Sequence, residues 1–459
     1  MRTARPMALA TALLAMTVAG CSGDAPALLD PSPVGSGTAA TAAPDITVSS
    51  SAELVAALIP ANAGKLIRLS AGTYAVTQPL TVPDGATLEG EGVMQFDGAG
   101  LPAGFAAGSR TTLVMSPGLP GYLLALEHGA TIRRLAFEDV AGRPGSVIGI
   151  ASRAAGDRIS ATISEVEIVN PGPHAILPSG STGCGVAALT LNPNSGPPHT
   201  GADIDVRMTR SIIRSPSAGT GCGFFAFNFA PSAGVSADLS DNVIGGGIIA
   251  SGGVSRPDAV YDATTTIQSR GNLYRDDSPS ACTSAHLGWN LQGGSGVPVP
   301  LPLPATVRNT LRVQSVHDRI EGFVTAVLAT GGRRFFGAPI AGETSGNSVD
   351  LDLLGTRVST PECGAGVTVR DFRLAGALVT DPSVVPGDGN TLRALFRNVT
   401  GSGTRANVYA DVLGPTDPQP AALSGTGNRL EVIGNAQAFE RSNSGIVPAP
   451  SAEFYTAHR

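Results

Sequence analysis

The sequence predicts an all-β solenoid in which short parallel strands stack as successive coils. Three observations predict it: a short amphipathic helix at 50–60 leads into a series of short strands, strand-like segments recur at uneven steps as far as residue 440, and the composition is unusual. Gly (59) and Pro (35) are abundant while charged residues make up only 14%. This composition suits many short strands and tight turns, and it excludes a mainly helical or disordered protein.

The helix is predicted from its start signal and its apolar spacing. Ser50 and Glu53 form an S-x-x-E capping box, in which each side chain satisfies the free backbone N–H of the other residue. Leu54 and Ala57 lie on one apolar face, and Pro60 limits the helix to about three turns. Because an open stack of coils must cover its first layer, we expect this helix to cap the solenoid.

Strands are predicted along most of the remaining chain. The first lie at 66–69, 80–82, around 88, 111–115, 122–126, 130–137 and 146–151. A looser repeat then follows, with equivalent positions at Ile163, Met208, Leu239, Ile267, Val313, Leu353, Leu395 and Val432. The resulting steps of 45, 31, 28, 46, 40, 42 and 37 residues suit coils of constant cross-section joined by loops of varying length.

Alternation within the strands predicts which face lies inside. Leu351 and Leu353 flank Asp352, so a period of two places the leucines in the lumen and the charge outside. The alternative all-β fold is a sandwich, but hairpin dipeptides are sparse in this chain.

The first quarter of the chain resembles a known group of proteins. Segments 52–74 (AELVAALIPANAGKLIRLSAGTY), 78–92 (QPLTVPDGATLEGEG) and 129–140 (GATIRRLAFEDV) are similar to the beginning of right-handed parallel β-helix proteins of the pectin-lyase-like superfamily. The resemblance implies a single-stranded right-handed parallel β-helix with a short N-terminal capping α-helix. It does not choose a chemistry, because catalytic and non-catalytic members share the fold.

The N-terminus predicts export and lipid anchoring. Arg2 and Arg5 precede a short apolar stretch, and residues 18–21 (VAGC) form a bacterial lipobox that ends at Cys21. Cleavage would leave Cys21 as the acylated N-terminus, anchoring the protein to a lipid membrane of the cell envelope, with the outer membrane or the cell surface favoured. The alternative is an ordinary secretory signal with an incidental cysteine.

The chain therefore divides into four predicted parts: a signal peptide at 1–21, a flexible tether at 22–45, the β-helix at 46–445, and a tail at 446–459. The net charge is −6 and no long basic run occurs, which excludes nucleic acid as a partner.

Two matching blocks predict a disulfide bond. Residues 182–192 (TGCGVAALTLN) and 220–230 (TGCGFFAFNFA) align Cys184 with Cys222. On successive coils these Cα atoms would lie within disulfide range, and an exported protein meets an oxidising compartment. For Cys282 and Cys363 two possibilities remain open: a disulfide bond between them, or two free buried thiols.

The resemblance also implies where catalysis would be sought. Polygalacturonase-like hydrolases with this fold carry N-T-D, D-D, G-H-G and R-I-K motifs. Asp276-Asp277 resembles the second, and Arg319-Ile320-Glu321 partly resembles the fourth, with Glu321 where Lys would stand. N-T-D, G-H-G and the pectate-lyase string W-x-D-H are absent. If the chain is an enzyme, we expect Asp276 and Asp277 to stack near His317 and Arg319; the alternative is a solvent-facing charge ladder.

Two D-x-D pairs are candidate calcium ligands. The carboxylates of Asp203 and Asp205, and those of Asp350 and Asp352, share one side of a strand, and calcium takes six to eight oxygen ligands. The alternative is an outer face with ion pairs between coils, and no other cofactor is predicted.

These observations favour a membrane-anchored, exported β-helix lipoprotein that binds a glycan or an envelope partner without catalysis. One alternative is a polysaccharide lyase or glycoside hydrolase acting on an acidic polysaccharide, and the other is a structural spacer.

Overall fold

The computed structural model describes most of the chain from residue 43 onward. The described residues are 43–116, 122–138, 146–169, 184–190, 197–214, 222–255, 258–276, 282, 287–296, 305–334, 344–363, 369–379, 388–401, 406–414, 428–434, 439–442 and 453–458. The predicted signal peptide, including Cys21, lies outside them. Residues 44–459 form one compact unit.

A short α-helix, Ser51–Ala57, packs at the first coil with Leu54 and Ala57 buried. Its first turn is held by the Ser50 hydroxyl, which accepts a hydrogen bond from the backbone N–H of Glu53 at 3.3 Å. The capping box predicts that the Glu53 carboxylate accepts from the N–H of Ser50, but in the structure it accepts from the N–H of Ser49, at 2.7 Å. This hydrogen bond lowers the pKa of Glu53.

The helix has two turns instead of the predicted three. Leu58 already leaves helical geometry, with φ −87° and ψ 62°. Ile59 is extended, as the residue before a proline tends to be, and a 3-10 helix follows at Pro60–Asn62.

Three long parallel sheets build the body of the molecule. Among the described residues, sheet A contains 13 strands: Ile46–Val48, Leu66–Leu69, Thr87–Gly90, Ala130–Arg133, Arg158–Ser164, Asp203–Thr209, Gly234–Ser240, Thr264–Arg270, Thr310–Val316, Ser348–Leu354, Thr391–Arg397, Arg429–Gly434 and Glu453–His458. Its final strand lies in the stretch predicted as a tail.

Sheets B and C complete each coil. In the described part of the chain, sheet B contains Gly72–Val76, Thr111–Met115, Ala136–Glu138, Glu167–Val169, Ile212–Ile213, Val243–Gly245, Leu273–Arg275, Arg319–Glu321 and Arg357–Ser359. Sheet C contains Leu80–Val82, Leu124–Leu126, Ile148–Ala151, Cys184–Thr190, Cys222–Asn228, Ile248–Ser255, Leu287–Gly296, Thr325–Arg334, Arg370–Val379, Ala406–Gly414 and Phe439–Ser442. A small sheet of Val260–Tyr261, Thr306–Val307 and Thr344–Ser345 lies between sheets C and A.

The chain visits the three sheets repeatedly in the order A, B, C, and strands of one sheet pair in parallel with those of the next coil. The fold is a right-handed parallel β-helix, which confirms the predicted fold class. The lumen is filled by apolar side chains, the largest of which include Trp289, Tyr74, Tyr274, Phe137 and Phe224.

The register agrees with part of the predicted repeat. Ile163, Met208 and Leu239 are paired neighbours in sheet A. Ile267 pairs with Ala237, two residues away from the predicted alignment, and therefore still faces inward. Leu395 pairs with Asp352 on the outer face, so its predicted place in the lumen is wrong by one residue; Phe396 is the buried neighbour.

Two ladders of buried polar side chains hold the corners. Between sheets A and B, Asn242, Asn272 and Asp318 stack, and each accepts a hydrogen bond from the backbone N–H one coil earlier, at 2.8–2.9 Å. Before sheet A, a second ladder consists of Asn309, Asn347, Asn390 and Asn428. These side chains satisfy backbone groups that the turns would otherwise leave unpaired inside the protein.

A β-hairpin, Met94–Phe96 with Pro102–Phe105, covers part of the outer face of sheet B. Its Met94 and Leu101 pack in one apolar cluster with Ile212, Val243 and Leu273. The cluster therefore begins under the hairpin and continues along the outer face of sheet B to Leu273, while the hairpin strand Pro102–Phe105 contacts the strand Ile212–Ile213.

Two disulfide bonds join coils. Cys184 and Cys222 are register partners in sheet C with Cα atoms 4.6 Å apart, as the matching blocks predicted. Cys282 is bonded to Cys363, with Cα atoms 5.6 Å apart, and the coil that contains Arg319–Glu321 lies between them. Among the described residues, no helix is long and apolar enough to cross a membrane.

Candidate functional site

A groove of about 590 Å³ crosses the outer face of sheet A. It extends from the strand Arg158–Ser164 across three further strands, as far as Thr264–Arg270. Because alternate residues of each strand point outward, two rows of mostly polar side chains line it. The rows are Arg158, Asp203, Gly234 and Thr264, and Ser160, Asp205, Ser236 and Thr266.

The rows place charged and hydroxyl groups at regular spacing. Neighbours within a row are about 4.8 Å apart and the two rows about 6.6 Å apart, as the geometry of a parallel sheet dictates. Asp203 and Asp205 are both exposed, and Arg158 is the register partner of Asp203. The groove therefore offers carboxylate acceptors beside a guanidinium donor and several hydroxyls.

Gly234 gives the groove part of its depth. A Cβ atom at this residue would lie 2.5 Å from Oδ1 of Asp203, so the Asp203 carboxylate lies over the space that the glycine leaves open. Every other residue of the same row, from Arg158 to Thr264, carries a side chain.

His128 closes one end of the groove. Its Nδ1 accepts a hydrogen bond from the backbone N–H of Ser160 at 3.4 Å. With Nδ1 as the acceptor, a neutral imidazole carries its proton on Nε2, which remains a donor for a ligand.

The predicted catalytic group is only partly described, since Asp277 lies outside the described residues. Leu273 and Arg319 are register partners on adjacent strands of sheet B, and Asp276 follows the first of these strands. The N–H of Asp276 donates to the carbonyl of Glu321 at 3.0 Å, so Asp276 lies about 10 Å along the strand from Arg319. His317 lies beyond the opposite end, in the corner that precedes Arg319.

His317 and Arg319 thus lie near each other, while Asp276 is at the far end of the short strands. His317 is exposed, has a left-handed backbone with φ 57°, and its ring lies against Gly355 of the next coil. Nothing in this geometry brings Asp276 and His317 to one glycosidic bond, and the catalytic assignment stays a prediction.

Asp318, which lies between His317 and Arg319 in the sequence, has an unusual environment. It is fully buried in the ladder, where Oδ1 accepts from the N–H of Asn272 and Oδ2 accepts from the Ser315 hydroxyl at 2.7 Å. Burial raises the pKa of Asp318 to about 6, although the hydrogen bonds from Ser315, Ser269 and Asn272 oppose the shift. Because Asp318 is fully buried and hydrogen-bonded within the ladder, we assign it a structural role.

The D-x-D pairs differ in their surroundings. Asp352 accepts two hydrogen bonds from Arg397 at 2.7 Å, and Asp350 lies in register with Arg312 and Arg393. Asp203 and Asp205 belong to the groove instead. No group of three or more potential metal ligands occurs among the described residues, and the calcium site stays a prediction.

Asp203 and Asp205 were recognisable from the sequence as candidate ligands, but their groove was not. Arg158, Ser160, Ser236 and His128 come from other coils, and only the register brings them to the same face. The available signal was the alternation of polar residues with Ile159, Ile204 and Val235, which marks these positions as outward.

Comparison with known proteins gives low similarity. The Dettilon tailspike protein is 10% identical with a TM-score of 0.37, and the match covers 86% of this chain and 62% of that one. The catalytic domain of a GH87 α-1,3-glucanase in complex with nigerose is 13% identical with a TM-score of 0.26, covering 89% and 69%. No protein-family model and no curated protein matches the chain. At these TM-scores, neither similarity bears on function.

Proposed function

We propose that this protein is an exported, lipid-anchored β-helix that binds a polysaccharide in the groove of sheet A without cleaving it. The observation that carries the proposal is the pair of outward rows, in which Asp203, Asp205 and Arg158 stand among serine and threonine hydroxyls. Sugar hydroxyls donate to carboxylates and accept from guanidinium and hydroxyl groups, so the rows match a polyhydroxylated chain.

The form of the groove supports a polymer as the ligand. It is open along the stack of coils, and the repeated spacing offers the same kinds of group from one coil to the next. A compact cofactor would instead require an enclosed, mostly apolar pocket.

The test is a binding measurement by calorimetry on a panel of neutral and acidic polysaccharides. Asp205→Asn removes the charge from the second row, and we expect affinity for the preferred polymer to fall by about tenfold, since hydrogen bonds to charged groups are worth about 1.5–3 kcal/mol. Gly234→Ala places a methyl group against the Asp203 carboxylate, and it should weaken the same interaction.

The matched control is Asp238→Asn. Asp238 also points outward from sheet A, with its side chain about half exposed, but it lies outside the groove and faces Arg207 at 3.9 Å. Equal effects of Asp205→Asn and Asp238→Asn, or binding that neither groove variant reduces, would contradict the proposal.

A second candidate function is hydrolysis of the bound polymer. It is favoured by the carboxylates of Asp203 and Asp205, which share one face of a strand with their Cα atoms about 6.6 Å apart, since glycosidases use a pair of carboxyl groups on either side of the glycosidic bond. Release of reducing ends that disappears in Asp205→Asn would select hydrolysis over binding alone.

Anchoring is tested separately. Acylation at Cys21 predicts that Cys21→Ser either leaves the precursor unprocessed or moves the protein from the membrane to the soluble fraction. Membrane fractionation with an antibody reads the result, and an unchanged membrane fraction would remove the lipid anchor from the proposal.

A further inference from the structure

Charges on the outer faces of this β-helix match opposite charges on neighbouring coils. Arg210 pairs with Glu165 at 2.7 Å, Arg308 with Asp262 at 2.9 Å, and Arg397 with Asp352 at 2.7 Å. Along one row of sheet A the sign alternates through Arg312, Asp350, Arg393 and Glu431. Such pairing avoids the repulsion of like charges placed directly opposite each other.

Sheet B contains one exception. Arg319 and Arg357 are register partners on adjacent strands and both point outward. Within the described strands, no other pair of register partners carries charges of the same sign. The two guanidinium groups leave the backbone about 4.8 Å apart, and this arrangement destabilises the sheet unless an anion lies between them.

Nearby carboxylates neutralise the pair only weakly. Glu321 approaches Arg319 at 3.9 Å, the limit of an ion pair, and it also faces Arg275 as register partner on the preceding strand. For Arg357, which is exposed, the described residues provide no ion pair.

Arg357 is exposed and Arg319 is partly exposed, so a ligand can reach both guanidinium groups. Leu273 is the last residue of the apolar cluster that begins under the hairpin, and Arg319 is its register partner on the next strand, in the same outward row. The row continues through Arg357 to Thr400, and Ser359 points outward beside it. Thr400 and Ser359 are both exposed, and their hydroxyl groups can donate to an oxyanion.

We propose that Arg319 and Arg357 form an anion site that binds the carboxylate or sulfate groups of an acidic polysaccharide. A guanidinium donates two parallel hydrogen bonds to either oxyanion, and two stacked guanidiniums hold one group between them or two groups along a chain. The site lies on sheet B, outside the groove of sheet A, and it does not depend on what that groove binds. The net charge of −6 and the adjacent Glu321 disfavour the dense phosphates of a nucleic acid.

The test measures binding of polygalacturonate, dextran sulfate and uncharged dextran to the full chain at two salt concentrations. We expect binding of at least one charged polymer, weaker at higher salt, and no contribution of this site to dextran binding. Arg319→Gln/Arg357→Gln should lower affinity for that polymer by about tenfold or more. Binding of polygalacturonate but not of dextran sulfate would identify carboxylates as the ligand. Binding of both polymers would show that the site also accepts sulfates.

Arg393→Gln is the matched control, because Arg393 is exposed on sheet A and faces Glu431 at 3.6 Å. It should leave the affinity within about twofold of the wild type. Thermal unfolding provides a second measurement: Arg357→Gln should keep or raise the melting temperature, since it removes a repulsion. Absence of binding by the wild type, unchanged binding by the double variant, or an equal loss in Arg393→Gln would overturn the proposal.

Discussion

Asp318 occupies a place where the ladder between sheets A and B otherwise has asparagine. A protonated carboxyl has nearly the shape of an asparagine side chain, so the ladder accepts the acid most readily in its neutral form. Burial raises the pKa of Asp318 from an ordinary value of 3.8 to about 6 in the folded protein. The stability that this group contributes is therefore fully present below the unfolded pKa, and it is lost as pH rises through the folded pKa near 6.

We predict that Asp318→Asn removes this pH dependence. The variant should be more stable than the wild type at pH 7.5 by about 1–3 kcal/mol, because each unit of pKa shift is worth about 1.4 kcal/mol. At pH 4 the difference should be small. Urea unfolding of both proteins at the two pH values measures it.

A useful comparison is Asp262→Asn on the surface. Hydrogen bonding from Arg308 lowers the pKa of Asp262, so its contribution is lost as pH falls, which is the opposite direction. If wild type and Asp318→Asn lose stability equally between pH 4 and 7.5, the buried carboxyl does not titrate as described.

At the scale of elements, the second ladder joins the starts of four consecutive sheet A strands, those that begin at Thr310, Ser348, Thr391 and Arg429. Asn347 accepts from the backbone N–H of Asn309 at 3.0 Å, and its own amide donates to the carbonyl of Thr306 at 2.9 Å. Glycines of sheet C make room for this ladder: a Cβ at Gly294 would lie 2.5 Å from the Asn347 side chain.

We predict that Asn347→Ala destabilises the fold by about 2–4 kcal/mol, because it leaves two buried backbone groups of the preceding coil, the N–H of Asn309 and the carbonyl of Thr306, without this partner. Gln314→Ala, at an exposed position on sheet A, serves as the control and should change stability by less than about 0.5 kcal/mol. Urea unfolding measures both. Similar losses in the two variants would show that the ladder contributes no special stability.

The strands were largely predictable from the sequence, because alternation and turn residues are local signals. Leu66–Leu69, Leu80–Val82 and Thr111–Met115 were predicted with these bounds. The register was less predictable, since an apolar strand satisfies its pattern equally well after a shift of two residues, as at Ile267. Which of Leu395 and Phe396 faces the lumen was ambiguous, because both neighbouring residues are apolar.

Contacts between distant segments were the least predictable. The recurrent Asn-Thr or Asn-Ser before a sheet A strand, as at Asn309, Asn347 and Asn390, was a signal for the ladder, but only the three-dimensional register shows that these residues touch. The hairpin at 94–105 was missed because its partners, such as Ile212, are far along the chain. The groove and the Arg319–Arg357 pair depend on the same register.

At the scale of the molecule, each coil contacts mainly its neighbours, so stability is distributed along the stack. The Cys282–Cys363 bond is an exception, because it joins two coils across a third. It closes a loop of 81 residues, and restriction of the unfolded chain predicts a stabilisation of up to about 4 kcal/mol.

We predict that Cys282→Ser/Cys363→Ser loosens this part of the stack alone. Amide hydrogen exchange should accelerate in the sheet B strands Leu273–Arg275, Arg319–Glu321 and Arg357–Ser359. The strand Thr111–Met115, far from the bond in the same sheet, is the internal control. Uniform acceleration along the whole chain would indicate that the stack unfolds as one unit and not coil by coil.

The alternating row Arg312, Asp350, Arg393 and Glu431 also constrains how such a chain can change in length. Loss of the coil that carries Asp350 would bring Arg312 against Arg393, while loss of two neighbouring coils would bring Arg312 against Glu431. Charge complementarity therefore follows a parity rule along this row. Insertions and deletions of an even number of coils preserve it, and those of an odd number do not.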